Sequence, residues 1–173
     1  MLPLQVDISS MIAAAQDRLV KSEPYVIEYA DKLALKNNKL PPSLAVNPIN
    51  IYALWKREQG KTWELMYIGQ RSFESGWPRV REHLFHKHPK TQSKLAKVRI
   101  ALESGAEIGV TGILVQPDSM RLAIEEELIC RNSQSAQHLV WNLKARAKIA
   151  KVGKAEPTLG QVVDLDWRRM NGE

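Results

Sequence analysis

Cysteine is nearly absent: the chain has one, Cys130, in 173 residues. An internal disulfide is therefore excluded, as is a cluster of thiolate zinc ligands, and the lone thiol reads as a small buried hydrophobe. No apolar run approaches the roughly 18 residues that a membrane-spanning helix needs. Met1–Gln5 has neither the basic start nor the apolar stretch of a secretory signal, so the expectation is a cytoplasmic protein with no membrane partner. Glycine-rich loops of the P-loop or dinucleotide type are missing, which removes the commonest nucleotide chemistries. There is no internal repeat and no low-complexity tract.

Acidic residues are scarce where bases are dense. The net charge of +6 is carried largely by two blocks. Arg79–Arg99 holds seven Lys or Arg against Glu82 alone, with His83, His86 and His88 among them. Residues 142–154 hold five bases and no acid. Between the blocks lies an acidic patch, Glu125–Glu127. Two basic blocks around an acidic patch suit a protein that meets a polyanion and also holds a cation. Each block taken singly reads more readily as a solvated helix face than as a binding surface. Hydrophobic residues at 44% and charged residues at 25% are ordinary for a globular chain, and the length suits one domain with a small helical appendage.

Periodicity gives the elements. Ser9 or Ser10 would cap a helix whose apolar positions are Met11, Ile12, Ala15 and Leu19. A second helix is expected from Glu23-Pro24 to Asn37-Asn38, with the stripe Tyr25, Tyr29, Leu33 and a snorkelling Lys36. Pro41, Pro42, Asn47 and Pro48 make a connector, so the expected division is a helical extension over 1–47, a catalytic-sized domain over 48–152 and a tail over 153–173. Asn50–Lys56 and Glu64–Ile68 read as an antiparallel hairpin, followed by helices over Pro78–Phe85 and Ser93–Glu103. A third strand over Glu107–Val115 precedes a helix capped by Ser119 and running to Arg131, with Leu122, Ile129 and, between them, Glu125 or Glu126 inward, and then a basic helix from about Leu143 to Lys151. The fold class is α+β, a three-stranded antiparallel sheet flanked by helices.

Polar residues fall on this framework in a telling order. Asn50-Ile51-Tyr52 and Tyr67-Ile68-Gly69 lie on the two hairpin strands. Arg79 and His83 stand four apart on the next helix, hence on one face. Glu125 sits in Leu122-Ala123-Ile124-Glu125-Glu126-Glu127-Leu128-Ile129, and Trp141-Asn142 follows. Over Asn50 to Asn142 this resembles the GIY-YIG nuclease superfamily, with Asn50 in place of the leading glycine and a long interval between the tyrosines. The resemblance implies a GIY-YIG-like fold and a metal-dependent DNA endonuclease, nearest in feel to restriction-type or mobile-element enzymes, that leaves 5′-phosphate and 3′-hydroxyl ends. It implies that Tyr52 is a general base toward water, that His83 accepts or shares the phenolic proton, and that Tyr67 orients water or phosphate. Arg79 would clamp the phosphate, Glu125 (or, as fallback, Glu126) would hold Mg²⁺ or Mn²⁺, and Asn142 would brace the site.

The basic residues Arg81, Lys94, Lys97, Arg99, Lys144, Arg146 and Lys148 are then candidates to line DNA phosphates, which positions the duplex without reading it. One active site cuts one strand, so double-strand cleavage would call for a homodimer or sequential nicking. Two rivals stand beside this expectation: a noncatalytic nucleic-acid-binding module on the same scaffold, favoured by Asn50, and an interaction or inhibitor protein acting through residues 2–40.

Overall fold

The computed structural model describes residues 7–87, 93–133 and 139–142. It shows a four-stranded antiparallel sheet with helices on both faces, in the strand order β1-β4-β2-β3. The elements are α1 (Ser9–Leu19), β1 (Tyr25–Val26), β2 (Ile51–Arg57), β3 (Glu64–Gln70), α2 (Gly76–Leu84), α3 (Leu95–Glu103), β4 (Glu107–Ile113) and α4 (Arg121–Asn132). Among the described residues no helix is long and apolar enough to cross a membrane.

The α+β class is as expected, but the sheet has four strands and not three. The fourth comes from the segment expected to be the second helix. Tyr25 and Val26 pair with Val110 and Gly109 of β4, and the Ile27 N–H donates to the Ile108 carbonyl at 2.8 Å. Beyond them the chain turns on side chains: Asp31 accepts the N–H groups of Leu33 and Ala34, and Asn38 donates to the carbonyls of Asp31 and Leu35. Leu33, expected on the inner stripe, is 91% exposed. The open edge of β4 offers backbone partners that an isolated helix could not, and these override a weak helical stripe.

β2 lies at the centre, paired with β3 on one side and β4 on the other. Its alternation sorts the core into two layers. Tyr52 and Leu54 face a layer with Val80, Leu84 and Phe85 at α2, Val98 and Leu102 of α3, and Ile108 and Val110 of β4. Ile51, Ala53 and Trp55 face the other layer, with Ile12, Ala15 and Leu19 of α1 and Ile124, Leu128 and Ile129 of α4. Burying each such aliphatic side chain contributes about 1.5–3 kcal/mol before entropy is counted.

Helix α1 is tied to the sheet through polar atoms as well. Trp55 Nε1 donates to Thr111 Oγ1 at 3.0 Å, and that hydroxyl donates to the last helical carbonyl, Leu19 O, at 2.6 Å. Ser9 and Ser10 lie within α1 and do not cap it; the Asp7 carboxylate takes the Ser9 N–H at 2.8 Å. Likewise Ser119 sits in a short 3₁₀ turn, Asp118–Met120, ahead of α4, and its neighbour Leu122 is 51% exposed, so Ile124 takes the inner place expected of it. Cys130 is half-buried, not fully enclosed. The expected basic helix from Leu143 and the 153–173 tail lie outside the described residues.

Candidate active site

The site begins with a sheet irregularity. Tyr52 pairs with Gly69 and Leu54 with Tyr67, but Trp55 pairs with Leu65, leaving Met66 as an extra residue in β3. This β-bulge puts Met66 and Tyr67 in succession on the Tyr52 face of the sheet. The two tyrosine rings lie 6.2 Å apart. Gly69 provides the space between them. A Cβ there would stand 2.6 Å from Tyr67 Cε1, 2.8 Å from its hydroxyl and 2.9 Å from the Tyr52 hydroxyl. Only a residue without a side chain lets both hydroxyls converge.

Helix α2 supplies the next groups. Trp77 Nε1 anchors its first turn to the Asn47 carbonyl at 2.7 Å, and Val80, His83 and Leu84 form its buried face. His83 is wholly buried, its Nε2 3.0 Å from the Tyr52 hydroxyl, while its Nδ1 accepts the Lys94 N–H at 3.0 Å. Its ring meets Tyr67 edge-on at 5.2 Å. Arg79 lies one turn earlier on the same face, and its charge acts on the Tyr52 phenol. It also forms an ion pair with Glu82, within which the Arg79 side chain is only 11% exposed. Burial, and then the charges of Arg79, Lys94 and Arg71, push the His83 pKa down to about 3.

Glu125 approaches from α4, which packs on the opposite face beside edge strand β3. Its charge acts on both phenols. Burial, reinforced by the neighbouring Glu126 and opposed by Arg121, lifts its carboxyl to about 7. Of the three adjacent glutamates, Glu125 faces the cluster, Glu126 is exposed, and Glu127 pairs with Arg131 at 2.9 Å. Burial raises Tyr67 to about 12 and holds Tyr52 well above the ordinary phenol range.

Asn142 closes the arrangement. Its Oδ1 accepts the Ile68 N–H and its Nδ2 donates to the Ile68 carbonyl, each at 2.8 Å. The side-chain amide thus acts as a one-residue strand partner on the open edge of β3, next to Tyr67 and Gly69.

The structure therefore brings Tyr52, Tyr67, Arg79, His83 and Glu125 into one electrostatically coupled cluster, braced by Asn142. Several contributors were not singled out for it in the sequence. Lys94, expected on an outer helix face, precedes α3 and places its ammonium 4.7 Å over the Tyr67 ring. Arg71, whose charge acts on Tyr67 and His83, follows Gly69 by two residues, a spacing that could have drawn attention to it. Glu82 is three residues from Arg79, the ordinary helical ion-pair spacing. Asn50 is fully buried: its Nδ2 donates to Val115 O at 2.8 Å and Asp118 Oδ1 at 2.9 Å, and its Oδ1 accepts the Val115 N–H at 2.8 Å.

The expected phosphate-lining residues that are described differ in exposure. Lys94 and Lys97 are half-buried near one another at the start of α3, whereas Arg81 and Arg99 are exposed. Lys144, Arg146 and Lys148 lie outside the described residues.

Among the described residues no three of the His, Cys, Asp and Glu side chains converge as a ready ligand set. The cluster instead offers Glu125, a half-buried carboxylate whose charged form is disfavoured where it stands. That donor fits a hard divalent cation, which takes one or two carboxylates and completes its shell with water and phosphate oxygens. Comparison with known protein families, characterised proteins and solved structures finds no match to this chain.

Proposed function

We propose that the chain is a metal-dependent DNA endonuclease of the GIY-YIG type, with its active site at the cluster around Gly69. The observation that carries this reading is the gathering, from four separate elements, of two phenols, an imidazole, a guanidinium and a carboxylate that act on one another, the two phenols meeting over Gly69 where any Cβ would intrude. Structural packing alone does not call for a wholly buried histidine beside two tyrosine hydroxyls and a half-buried carboxyl. Strongly shifted groups gathered in this way mark sites of chemistry. The four-stranded sheet with helices on both faces is compatible with a GIY-YIG-like domain carrying an added edge strand, β1.

The reaction is attack of water on a phosphodiester: a bond forms between the water oxygen and phosphorus, and the bond from phosphorus to O3′ breaks. The electron pair stays on O3′, which takes up one proton as the attacking water gives up one, and the new phosphate remains on the 5′ side. Glu125 would hold one Mg²⁺ or Mn²⁺, and the ion supplies charge stabilisation to the leaving oxygen when bound. Arg79 offers a planar donor pair to the nonbridging oxygens, and its Glu82 partner keeps the fork oriented until phosphate arrives. The phenol pair provides the place of the attacking water. Burial of the cluster excludes competing solvent and makes each of these contacts stronger than it would be at the surface.

The test is supercoiled plasmid with Mg²⁺, Mn²⁺ or EDTA, beside Glu125→Ala. Metal-dependent nicking or linearisation that disappears in the variant, with DNA binding kept, is expected. Full activity in the variant would remove Glu125 as the metal ligand. A noncatalytic binding module is the second reading, favoured by the engagement of Arg79 with Glu82 and by Asn50 in place of glycine; binding without cutting on plasmid, branched DNA and RNA would select it. In either case phosphate contacts from Arg71, Lys94 and Lys97 make binding weaken with salt. The slope of log K against log salt should lose about 1 in magnitude in Lys97→Ala, measured by fluorescence anisotropy from low to moderate salt.

A further inference from the structure

The hydrogen bonds of His83 have a direction. A backbone N–H can only donate, so the Lys94 amide, 3.0 Å from Nδ1, occupies that nitrogen's lone pair. The neutral ring must then carry its proton on Nε2, and Nε2, 3.0 Å from the Tyr52 hydroxyl, is a donor to the phenol oxygen. An imidazole in this state has no lone pair free to take a proton from Tyr52. Nor does the surrounding charge favour a second proton on the ring. It is 0% exposed and is faced by Arg79 from its own helix, Arg71 after β3, Lys94 at the start of α3, and the phenols of Tyr52 and Tyr67 from β2 and β3.

The direction propagates to the tyrosines. The Tyr52 oxygen has two lone pairs; His83 Nε2–H takes one of them, and the positive charge of Arg79 acts on the same phenol. Its own O–H is left to donate, toward the side on which the Tyr67 hydroxyl stands next to it over Gly69. Tyr67 then keeps one lone pair and its O–H for whatever enters the site. Burial agrees with this order: Tyr52 is 1% exposed, whereas Tyr67 is partly exposed under the Lys94 ammonium.

We propose that His83 is a fixed N–H donor that orients Tyr52, making both of them positioning residues, and that Tyr67 is the phenol that touches the attacking water. The assignment of Tyr67 rests on the endonuclease reading; the direction of the His83 hydrogen bonds does not. In this arrangement the water donates a hydrogen bond to Tyr67 Oη, and the Tyr67 O–H is free for a nonbridging phosphate oxygen.

Two measurements test the parts separately. The first is ¹⁵N NMR of the histidine ring nitrogens in the full chain from pH 5 to 8, without metal or DNA, with the His83 signals assigned by their loss in His83→Gln. An Nε2–H ring that does not titrate over this range is expected. An Nδ1–H tautomer, or an ordinary imidazole titration, overturns the donor role. The second is single-turnover cleavage with Mg²⁺ at several pH values. His83→Gln retains an N–H donor and should stay within about tenfold of the wild type, while His83→Ala loses about a hundredfold or more in kcat at little change in KM. Tyr67→Phe should lose more than Tyr52→Phe. Equal loss in the two His83 variants, with circular dichroism unchanged, overturns the donor role, and Tyr52→Phe losing more than Tyr67→Phe overturns the assignment of Tyr67. A wild-type protein that cuts nothing overturns the Tyr67 assignment together with the endonuclease reading, and the NMR spectrum alone then decides the role of His83.

Discussion

At the scale of single residues, the site depends on two features that act in opposite ways on stability. Gly69 is required by space. In Gly69→Ala the new methyl would meet Tyr67 Cε1 at 2.6 Å and the two tyrosine hydroxyls within 2.9 Å, so the phenols must part. The expected cost is about 1–3 kcal/mol of stability, typical of overpacking, with cleavage falling at least about tenfold; urea unfolding and plasmid nicking read the two effects. Glu125 is the converse case, a residue that strains the fold. Its carboxyl rises from an ordinary 4.5 to about 7, so the folded state prefers the protonated form. Between those values the unfolded chain has lost its proton while the folded one retains it, so stability falls as pH rises through this window and the penalty is complete above about 7. Glu125→Gln should therefore stabilise the metal-free protein at pH 8 by roughly 1–3 kcal/mol and change little near pH 4.5. Mg²⁺ at pH 8 should raise the Tm of the wild type and not that of the variant. A wild type that gains no stability on losing this charge would show that Glu125 is better solvated than its surroundings imply.

At the scale of elements, the hairpin and α2 were legible from sequence because local signals and tertiary demands agree there. Ile51–Arg57 and Glu64–Gln70 are rich in aliphatic and aromatic residues around a Gly60 turn, and the four-residue step from Arg79 to His83 needs only helical geometry. The segment after Glu23 differs from its expected form because its apolar spacing suits a helix, while the decisive partner, β4, lies more than eighty residues away. The place of Asn50 was hidden for the same reason. It reads as an irregular first letter of a motif, yet its amide ties the start of β2 to Val115 and Asp118 in the connection from β4 to α4. Asn50→Gly should cost about 2–4 kcal/mol, since three hydrogen bonds go and the buried Val115 N–H is left without its partner. Cleavage should fall with stability, because this connection sets the entry of the helix that carries Glu125; thermal unfolding and nicking assays on the variant check both.

At the scale of the whole molecule, residues 9–26 belong to the same cores as the hairpin. Ile12, Ala15 and Leu19 cover the face that carries Ile51, Ala53 and Trp55, and Tyr25–Val26 closes the edge of β4. Removing residues 1–22 should therefore uncover one side of the sheet and give an insoluble or molten chain, seen as loss of cooperative unfolding and of near-ultraviolet circular dichroism. A deletion that stays folded and cuts DNA would make α1 an accessory. This expectation differs from what the connector at Pro41–Pro48 suggests, for a proline-rich break in sequence does not prevent the segments on either side from packing together.

Composition and order alone determined the α+β class, the hairpin, the helix bearing Arg79 and His83, and the succession of candidate groups from Tyr52 to Asn142. Each depends on residues close in sequence, where propensity and periodicity act directly. Tertiary structure decided the fourth strand, the burial that sets the protonation of His83 and Glu125, the convergence of both phenols over Gly69, and the entry of Lys94 and Arg71 into the site. These depend on which atoms exclude water from which others, and that arises only when β2, β3, α2, α3 and α4 are packed together.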